Sequence, residues 1–179
     1  MKKVVLILLS FITIATAAMA QRRENQMWYK HALGFRYELL HSGMLGVSYE
    51  RFWTKHSSWE VLGMGYFAEG LEAAGFYKYT STFPIVSRQF RWYAGGGAHL
   101  ASWFNKRPTK DPFVFGLDAI VGLGFTFYNI PLAITIDWRP QIDLYTQDPV
   151  KREDFLKLFN PEKLGITFRY TMRHPGFNT

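Results

Sequence analysis

Single charged residues are spaced through the second half of the chain, each among apolar or small neighbours. Asp137 and Arg139 lie two positions apart within residues 131–144, and Asp118 and Arg169 have similar surroundings in neighbouring segments. Charges removed from water are tolerated only when they pair with opposite charges and hydrogen-bond partners. The first chemistry that these residues predict is therefore ion pairing inside a folded structure.

Nucleophilic catalysis is the second chemistry to consider, and the residues for it are poorly placed. The only His-x-Ser spacing is His56-Ser57-Ser58, and His99 and Ser102 would lie on opposite faces of an extended strand. The chain has no Cys, no His-Glu-x-x-His sequence and no acidic calcium loop. We therefore predict no catalytic set, no metal site and no cofactor.

The first 20 residues have the pattern of a secretory signal peptide. Lys2 and Lys3 precede an apolar stretch that ends in the small residues of Ala18-Met19-Ala20. We predict cleavage before Gln21 and a single mature domain over 21–179. Loss of the two lysines would lower the formal net charge of +7 to +5. Export makes nucleic acid an improbable partner for this basic chain.

From about residue 29 onward, apolar residues recur at every second position in segments bounded by turn-forming residues, as in β-strands. Residues 119–136 carry no charge and would be long enough for a membrane helix, but Gly122, Gly124 and the Asn129-Ile130-Pro131 break favour a hairpin. The prediction is an all-β, up-and-down antiparallel barrel of eight strands. Their predicted ranges are 30–39, 44–53, 58–67, 71–80, 90–103, 113–127, 131–144 and 162–172.

Two kinds of closed barrel fit this alternation. A soluble, lipocalin-like carrier places apolar residues inside, whereas a transmembrane barrel places them against lipid. In the last four strands the less apolar face is mostly Gly, Ala and Thr with single charges, unlike a water-facing surface rich in Lys and Glu. We therefore predict the transmembrane type, with the charged residues of this face in the interior. The face on which Glu60 lies is left unassigned. The charged residues predicted to face the interior are Arg36, Glu38, Glu50, Glu72, Lys78, His99, Asp118, Asp137, Arg139 and Arg169.

Aromatic residues make up 18% of the chain and cluster at the ends of the predicted strands, as in the girdles of lipid-facing barrels. The girdle predicted on the periplasmic side contains Tyr29, Trp53, Trp59, Tyr79, Trp92, Phe127, Tyr128 and Tyr170. The girdle predicted on the outer side contains Phe67, Trp103, Phe104, Phe113, Trp138 and Tyr145.

Three segments, 90–99, 115–123 and 136–140, resemble small eight-stranded outer-membrane barrels of Gram-negative bacteria. This group includes OmpX, OmpW and the transmembrane domain of OmpA. The last strand is also similar to the C-terminal assembly signal of such proteins, which the barrel-assembly machinery reads in that family. The matching residues are Lys163, Gly165, Phe168 and Tyr170. Many members end at the final aromatic residue, whereas this chain continues to Thr179.

An eight-stranded barrel has an interior that side chains can fill, so a general diffusion porin is not expected. We predict that the inward charges form a salt-bridge network that plugs the lumen; a proton or small-ion path is the alternative. Barrels similar to PagL and PagP modify lipid A in the outer leaflet with His and Ser. His56 and Ser58 fall in a predicted periplasmic turn, so an enzyme is not expected.

The outward loops suggest a surface role. If they face outward, their basic residues would lie at the height of lipopolysaccharide phosphates, with which they could form charge-assisted hydrogen bonds. These residues are Lys106, Arg107, Lys110, Lys151 and Arg152. We predict a monomeric, non-enzymatic protein of the outer membrane that contacts its lipid and lipopolysaccharide, serving as an envelope component or an interaction platform.

Overall fold

The computed structural model of the protein describes residues 29–39, 43–66, 70–83, 89–104, 113–127, 130–146, 159–161 and 163–172. Within these ranges, no helix is long and apolar enough to cross a membrane. The strands are β1 (His31–Glu38), β2 (Leu45–Phe52), β3 (Ser57–Tyr66), β4 (Gly70–Thr82), β5 (Phe90–Trp103), β6 (Phe113–Thr126), β7 (Leu132–Trp138), β8 (Gln141–Thr146), β9 (Phe159–Asn160) and β10 (Leu164–Met172).

Antiparallel pairing joins these strands into a closed ring. Neighbouring strands pair from β1 through β6, and β10 returns to β1 with Phe35 opposite Phe168. Both β7 and β8 pair with β6, while β10 pairs with β7 and β9 with β8. The pairs β7–β8 and β9–β10 are therefore interrupted halves of two barrel strands. The predicted eight-stranded, up-and-down antiparallel barrel is confirmed.

The break between β7 and β8 falls at Arg139-Pro140, inside the strand predicted over 131–144. Proline has no N–H to donate to the ladder, although the Pro140 carbonyl still accepts a hydrogen bond of 3.0 Å from the Ala119 N–H. The register on β6 is the same before the break, where Val121 faces Trp138, and after it, where Asp118 faces Gln141. The inside-outside alternation therefore passes through the proline unchanged.

A bulge changes the alternation once, near the end of β8. The register shifts between Phe115 and Gly116 of β6 and leaves Leu144 outside the pairing. As a result, the consecutive residues Leu144 and Tyr145 are both exposed on the outer surface. An extra residue in one strand is what a bulge inserts.

The connections define two ends of the barrel. At one end, here called the turn end, β2 finishes and β3 begins, and so do the successive strands β4 and β5 and β6 and β7. At the opposite end, here called the loop end, β1 finishes and β2 begins, and so do the successive strands β3 and β4, β5 and β6, and β8 and β9. The β1 strand begins and the β10 strand finishes at the turn end.

The two faces of the sheet differ sharply in chemistry. Apolar side chains such as Phe35, Val47, Leu71, Leu117 and Phe168 are exposed on the outer surface. Charged side chains are buried in the interior, beside an apolar cluster that includes Leu62, Met64, Phe76, Tyr93 and Ile120. This distribution is the reverse of the one that a soluble, ligand-carrying barrel requires.

Candidate functional site

The structure buries all ten charged residues that the alternation predicts to face inward. Each has an exposed fraction of 5% or less: Arg36, Glu38, Glu50, Glu72, Lys78, His99, Asp118, Asp137, Arg139 and Arg169. Glu60, which the sequence left unassigned, is buried with them. Because side chains alternate between the two faces of a strand, residues far apart in sequence meet inside the closed ring.

Five of the buried charges form a turn-end cluster: Glu50, Glu60, Lys78, Arg91 and Arg169. The Lys78 ammonium lies 2.5 Å from Glu50 and 2.6 Å from Glu60. Arg169 bonds Glu60 and also donates to the Thr135 hydroxyl at 2.6 Å. The cluster therefore ties together β2, β3, β4, β5, β7 and β10.

Glu50 is the most connected carboxylate in the turn-end cluster. It accepts hydrogen bonds from the Tyr29 hydroxyl at 2.5 Å and the Ser58 hydroxyl at 3.1 Å. Arg91 lies 3.7 Å from Glu50 and donates to the Tyr29 hydroxyl. Hydrogen bonds of this kind partly replace the hydration that a buried carboxylate loses.

The remaining charges form a loop-end cluster, which begins with a bidentate pair between β1 and β7. The Arg36 guanidinium donates to the two oxygens of Asp137 at 2.6 and 3.0 Å. Asp137 also accepts from the Tyr93 hydroxyl at 2.7 Å, and Arg36 donates to the Thr167 hydroxyl at 3.2 Å. Paired parallel bonds make an Arg–carboxylate contact both strong and geometrically specific.

Above this pair, Arg139 joins three carboxylates. Its guanidinium lies 2.6 Å from Glu72, 2.9 Å from Glu38 and 3.6 Å from Asp118. Lys163 approaches the second oxygen of Glu72 at 2.7 Å. The loop-end cluster therefore crosses the barrel from β1 and β4 to β6 and the break between β7 and β8.

His99 lies at the side of the loop-end cluster, between two aspartates. Its Nδ1 atom is hydrogen-bonded to Asp118, and its Nε2 atom lies 3.3 Å from the carboxylate of Asp143. Gln141 donates to both Asp118 and Glu72, at 3.1 and 3.2 Å. His99 therefore has carboxylate partners on both ring nitrogens, with no serine among them.

Among the described residues, buried cations and anions balance. Three cations and two anions form the turn-end cluster, while three cations and four anions form the loop-end cluster together with His99. Burial of each ion costs roughly several kcal/mol of desolvation free energy. Only well-placed opposite charges and hydrogen bonds offset this cost.

Several residues of the network were missed by the sequence interpretation although alternation could have found them. Arg91 shares the strand face of His99 in β5, and Lys163 precedes β10 on the face of Arg169. The assignment of Tyr29 to the lipid-facing aromatic girdle on the periplasmic side is wrong. Tyr29 is only 2% exposed because it lies before β1 with its ring against Phe52 and its hydroxyl toward Glu50.

Glycine makes room for the largest of these charged side chains. A Cβ built at Gly165 on β10 would overlap the Arg36 guanidinium. Of the four residues that resemble an assembly signal, Lys163 and Gly165 therefore have contacts inside the barrel. Phe168 and Tyr170 are instead exposed on the outer surface, at 49% and 59%.

The His and Ser pairs considered for catalysis do not meet. The His56 ring stacks on Tyr79, with centroids 5.5 Å apart, whereas the buried Ser58 hydroxyl bonds Glu50. In the described segments, no three His, Asp or Glu side chains are arranged to hold a metal ion. The basic loop residues Lys106, Arg107, Lys110, Lys151 and Arg152 lie outside the described residues.

The outer surface at the turn end carries a belt of aromatic contacts. Tyr49 packs edge-on against Trp59, with centroids 5.3 Å apart. Tyr79 lies 6.0 Å from Trp92, and Trp53 is 64% exposed. Aromatic residues in such positions are typical of a membrane–water interface.

Comparison with known proteins gives a fold and no close relative. No protein-family profile matches the sequence, and a search of curated proteins found no match. Among solved structures, the chain is similar to the N-terminal β-barrel domain of OprF from Pseudomonas aeruginosa. The TM-score is 0.54 at 14% sequence identity, and the match covers 78% of this chain and 96% of that domain. The chain therefore has the fold of the small, OmpA-like eight-stranded outer-membrane barrels.

Proposed function

We propose that this chain is a non-enzymatic outer-membrane barrel whose lumen is closed by its own side chains. The observation that carries the proposal is the reversal of the usual protein surface. Six cationic and six anionic side chains are buried inside the described part of the barrel, and apolar side chains cover its outside. Lipid is the environment in which such an apolar outer surface is favourable.

The first test of the proposal concerns the cellular location of the chain. The full chain is produced in a Gram-negative host, and its envelope is separated into soluble periplasm, inner membrane and outer membrane. We expect the mature chain, cleaved before Gln21, in the outer membrane. A closed barrel should also migrate differently on a denaturing gel before and after boiling. Recovery of the chain in the soluble periplasm would refute the proposal.

The closed lumen is tested separately by electrical recording. The purified barrel in a planar lipid bilayer should give no discrete openings, because the ion pairs and aromatic rings fill the interior. The alternative, a proton or small-ion path, predicts steps that disappear when Asp137 or Arg169 is replaced. Conductance steps that disappear on those substitutions would show that the lumen conducts ions and would refute the side-chain plug.

An interaction platform at the loop end is the surface role that we propose. Its support is the sequence of the two connections, where Lys106, Arg107, Lys110, Lys151 and Arg152 are concentrated. Clustered basic side chains bind phosphate through charge-assisted hydrogen bonds. Replacing these five residues with Gln should weaken binding of purified lipopolysaccharide while leaving the boiled and unboiled gel mobilities unchanged. Unaltered binding would exclude this role.

A further inference from the structure

Among the described residues, the Lys and Arg side chains outside the buried network are confined to one end of the barrel. All the described carboxylates belong to the interior or its loop-end mouth, where Asp143 faces His99. The described Lys and Arg residues that do not belong to the network are Lys30, Arg51 and Lys55. These three lie in or beside β1, β2 and the turn that follows β2, all at the turn end.

Arg51 lies within a strip of aromatic residues on the outer face of β1, β2 and β3, here called the turn-end rim. The rim consists of His31, Tyr49, Arg51, Trp53 and Trp59. Arg51 is directly opposite His31 on β1 and Trp59 on β3. Its guanidinium carbon lies 5.1 Å from the centroid of the Trp53 ring.

Neighbouring contacts hold the rest of the rim in place. The Nδ1 atom of His31 is 2.7 Å from the Tyr49 hydroxyl, and Tyr49 packs edge-on against Trp59. A guanidinium held over an indole ring has fewer conformations to lose on binding than a free one, which favours recognition of a planar or tetrahedral anion. The rim is therefore a preorganised cationic surface at the height of an aromatic belt.

We propose that the turn-end rim binds the phosphate headgroup of an anionic phospholipid, such as phosphatidylglycerol, in the adjacent membrane leaflet. This inference rests on the proposed membrane-spanning function. Guanidinium and phosphate are complementary in charge and hydrogen-bond geometry. A zwitterionic headgroup also carries an ammonium group, for which the described rim provides no carboxylate. Charge complementarity thus favours the lipid that carries phosphate alone.

The other side of the barrel at the same end has a different character. There Phe90 lies 6.3 Å from Phe125, and Phe125 lies 4.9 Å from Phe127. These three rings are contributed by β5, β6 and the residue after β6. Among the described residues, this contrast favours the β1–β3 sector as the place where the anionic lipid binds.

Tryptophan quenching by brominated lipid tests this inference in a reporter chain, otherwise wild type, whose tryptophans outside the rim (Trp28, Trp92, Trp103 and Trp138) are replaced by Phe, so that the signal comes from Trp53 and Trp59. The full chain is refolded into phosphatidylcholine vesicles that contain an equal mole fraction of brominated phosphatidylcholine or brominated phosphatidylglycerol. We expect an apparent preference of about five-fold for the brominated anionic lipid, the size of one favourable basic residue at a charged membrane surface. The Arg51→Gln variant should lose this preference, and Arg51→Lys, which keeps the charge but not the planar guanidinium, should keep only part of it.

Lys55→Gln is the matched control, because it removes the same charge from the exposed turn at the same end. That variant should keep the preference, and 1 M NaCl should weaken it in the wild type. Equal quenching by both lipids in the wild type would overturn the lipid site alone. A preference that survives in Arg51→Gln would overturn its assignment to the rim. Quenching by neither lipid would overturn both the membrane span and the lipid site.

Discussion

At the scale of single residues, the Arg36–Asp137 pair is the sharpest test of the interior network. Asp137→Asn removes the bidentate countercharge of the buried Arg36 guanidinium and leaves it with the longer contact to Glu38 at 3.4 Å, so we expect the free energy of unfolding to fall by about 3 kcal/mol. Thr167→Val removes one 3.2 Å hydrogen bond to the same guanidinium and should lower the free energy of unfolding by about 1 kcal/mol. Urea titration of the barrel in vesicles, followed by tryptophan fluorescence, measures both.

The double variant Arg36→Met/Asp137→Leu tests whether Arg36 and Asp137 stabilise the barrel as a pair or through independent interactions. Replacing both charges removes the desolvation penalty together with the attraction, so most of the stability lost in Asp137→Asn should return. If the double variant is less stable than Asp137→Asn, then Arg36 and Asp137 do not act as a pair and the network has been misassigned.

A second residue-scale prediction follows from the excess of cations in the turn-end cluster. Glu50→Gln leaves three cations facing one anion, and we expect the free energy of unfolding to fall by about 3–5 kcal/mol. Arg91→Met leaves two of each sign, and the Nε and Nη1 atoms of Arg91 have no hydrogen-bond partner. We expect a loss of less than about 1 kcal/mol for Arg91→Met. Equal losses in the same urea titration would contradict the charge count.

At the scale of strands, alternation predicted the fold well because a strand has only two faces. It assigned Asp118 on β6 and Asp137 on β7 to the interior, and both are buried. Alternation along a strand does not indicate which side chains meet across the closed ring. The bulge that exposes both Leu144 and Tyr145, and the inward turn of Tyr29 before β1, depend on tertiary contacts that no single segment encodes. The pairing of Arg36 with Asp137, about a hundred positions away, likewise requires the closed barrel.

The β10 strand provides a prediction that separates packing from assembly. Gly165→Ala should displace the Arg36 guanidinium and lower the free energy of unfolding by about 1–3 kcal/mol in protein refolded without cellular factors, because overpacking strains the interior. Tyr170→Leu changes an exposed outer residue and should leave that free energy within about 1 kcal/mol of the wild type. In cells, we expect both variants to reach the outer membrane in reduced amounts. If the free energy of unfolding of Gly165→Ala equals that of the wild type, then Gly165 acts in assembly rather than in packing against Arg36.

At the scale of the whole molecule, the burial of the interior charges predicts that the free energy of unfolding depends little on salt. Raising NaCl from 0.1 to 1 M shortens the screening length from about 10 to about 3 Å, but only where ions can enter. The free energy of unfolding of the wild-type barrel in vesicles should therefore change by less than about 1 kcal/mol, since the clusters are buried pairs. Phe76→Ala/Tyr93→Ala removes two buried rings between the clusters and should make the same quantity fall as salt rises, because water and ions then reach Lys78 and Asp137. If the wild-type and the double variant respond equally to salt, the lumen is already open to ions and the side-chain plug is wrong.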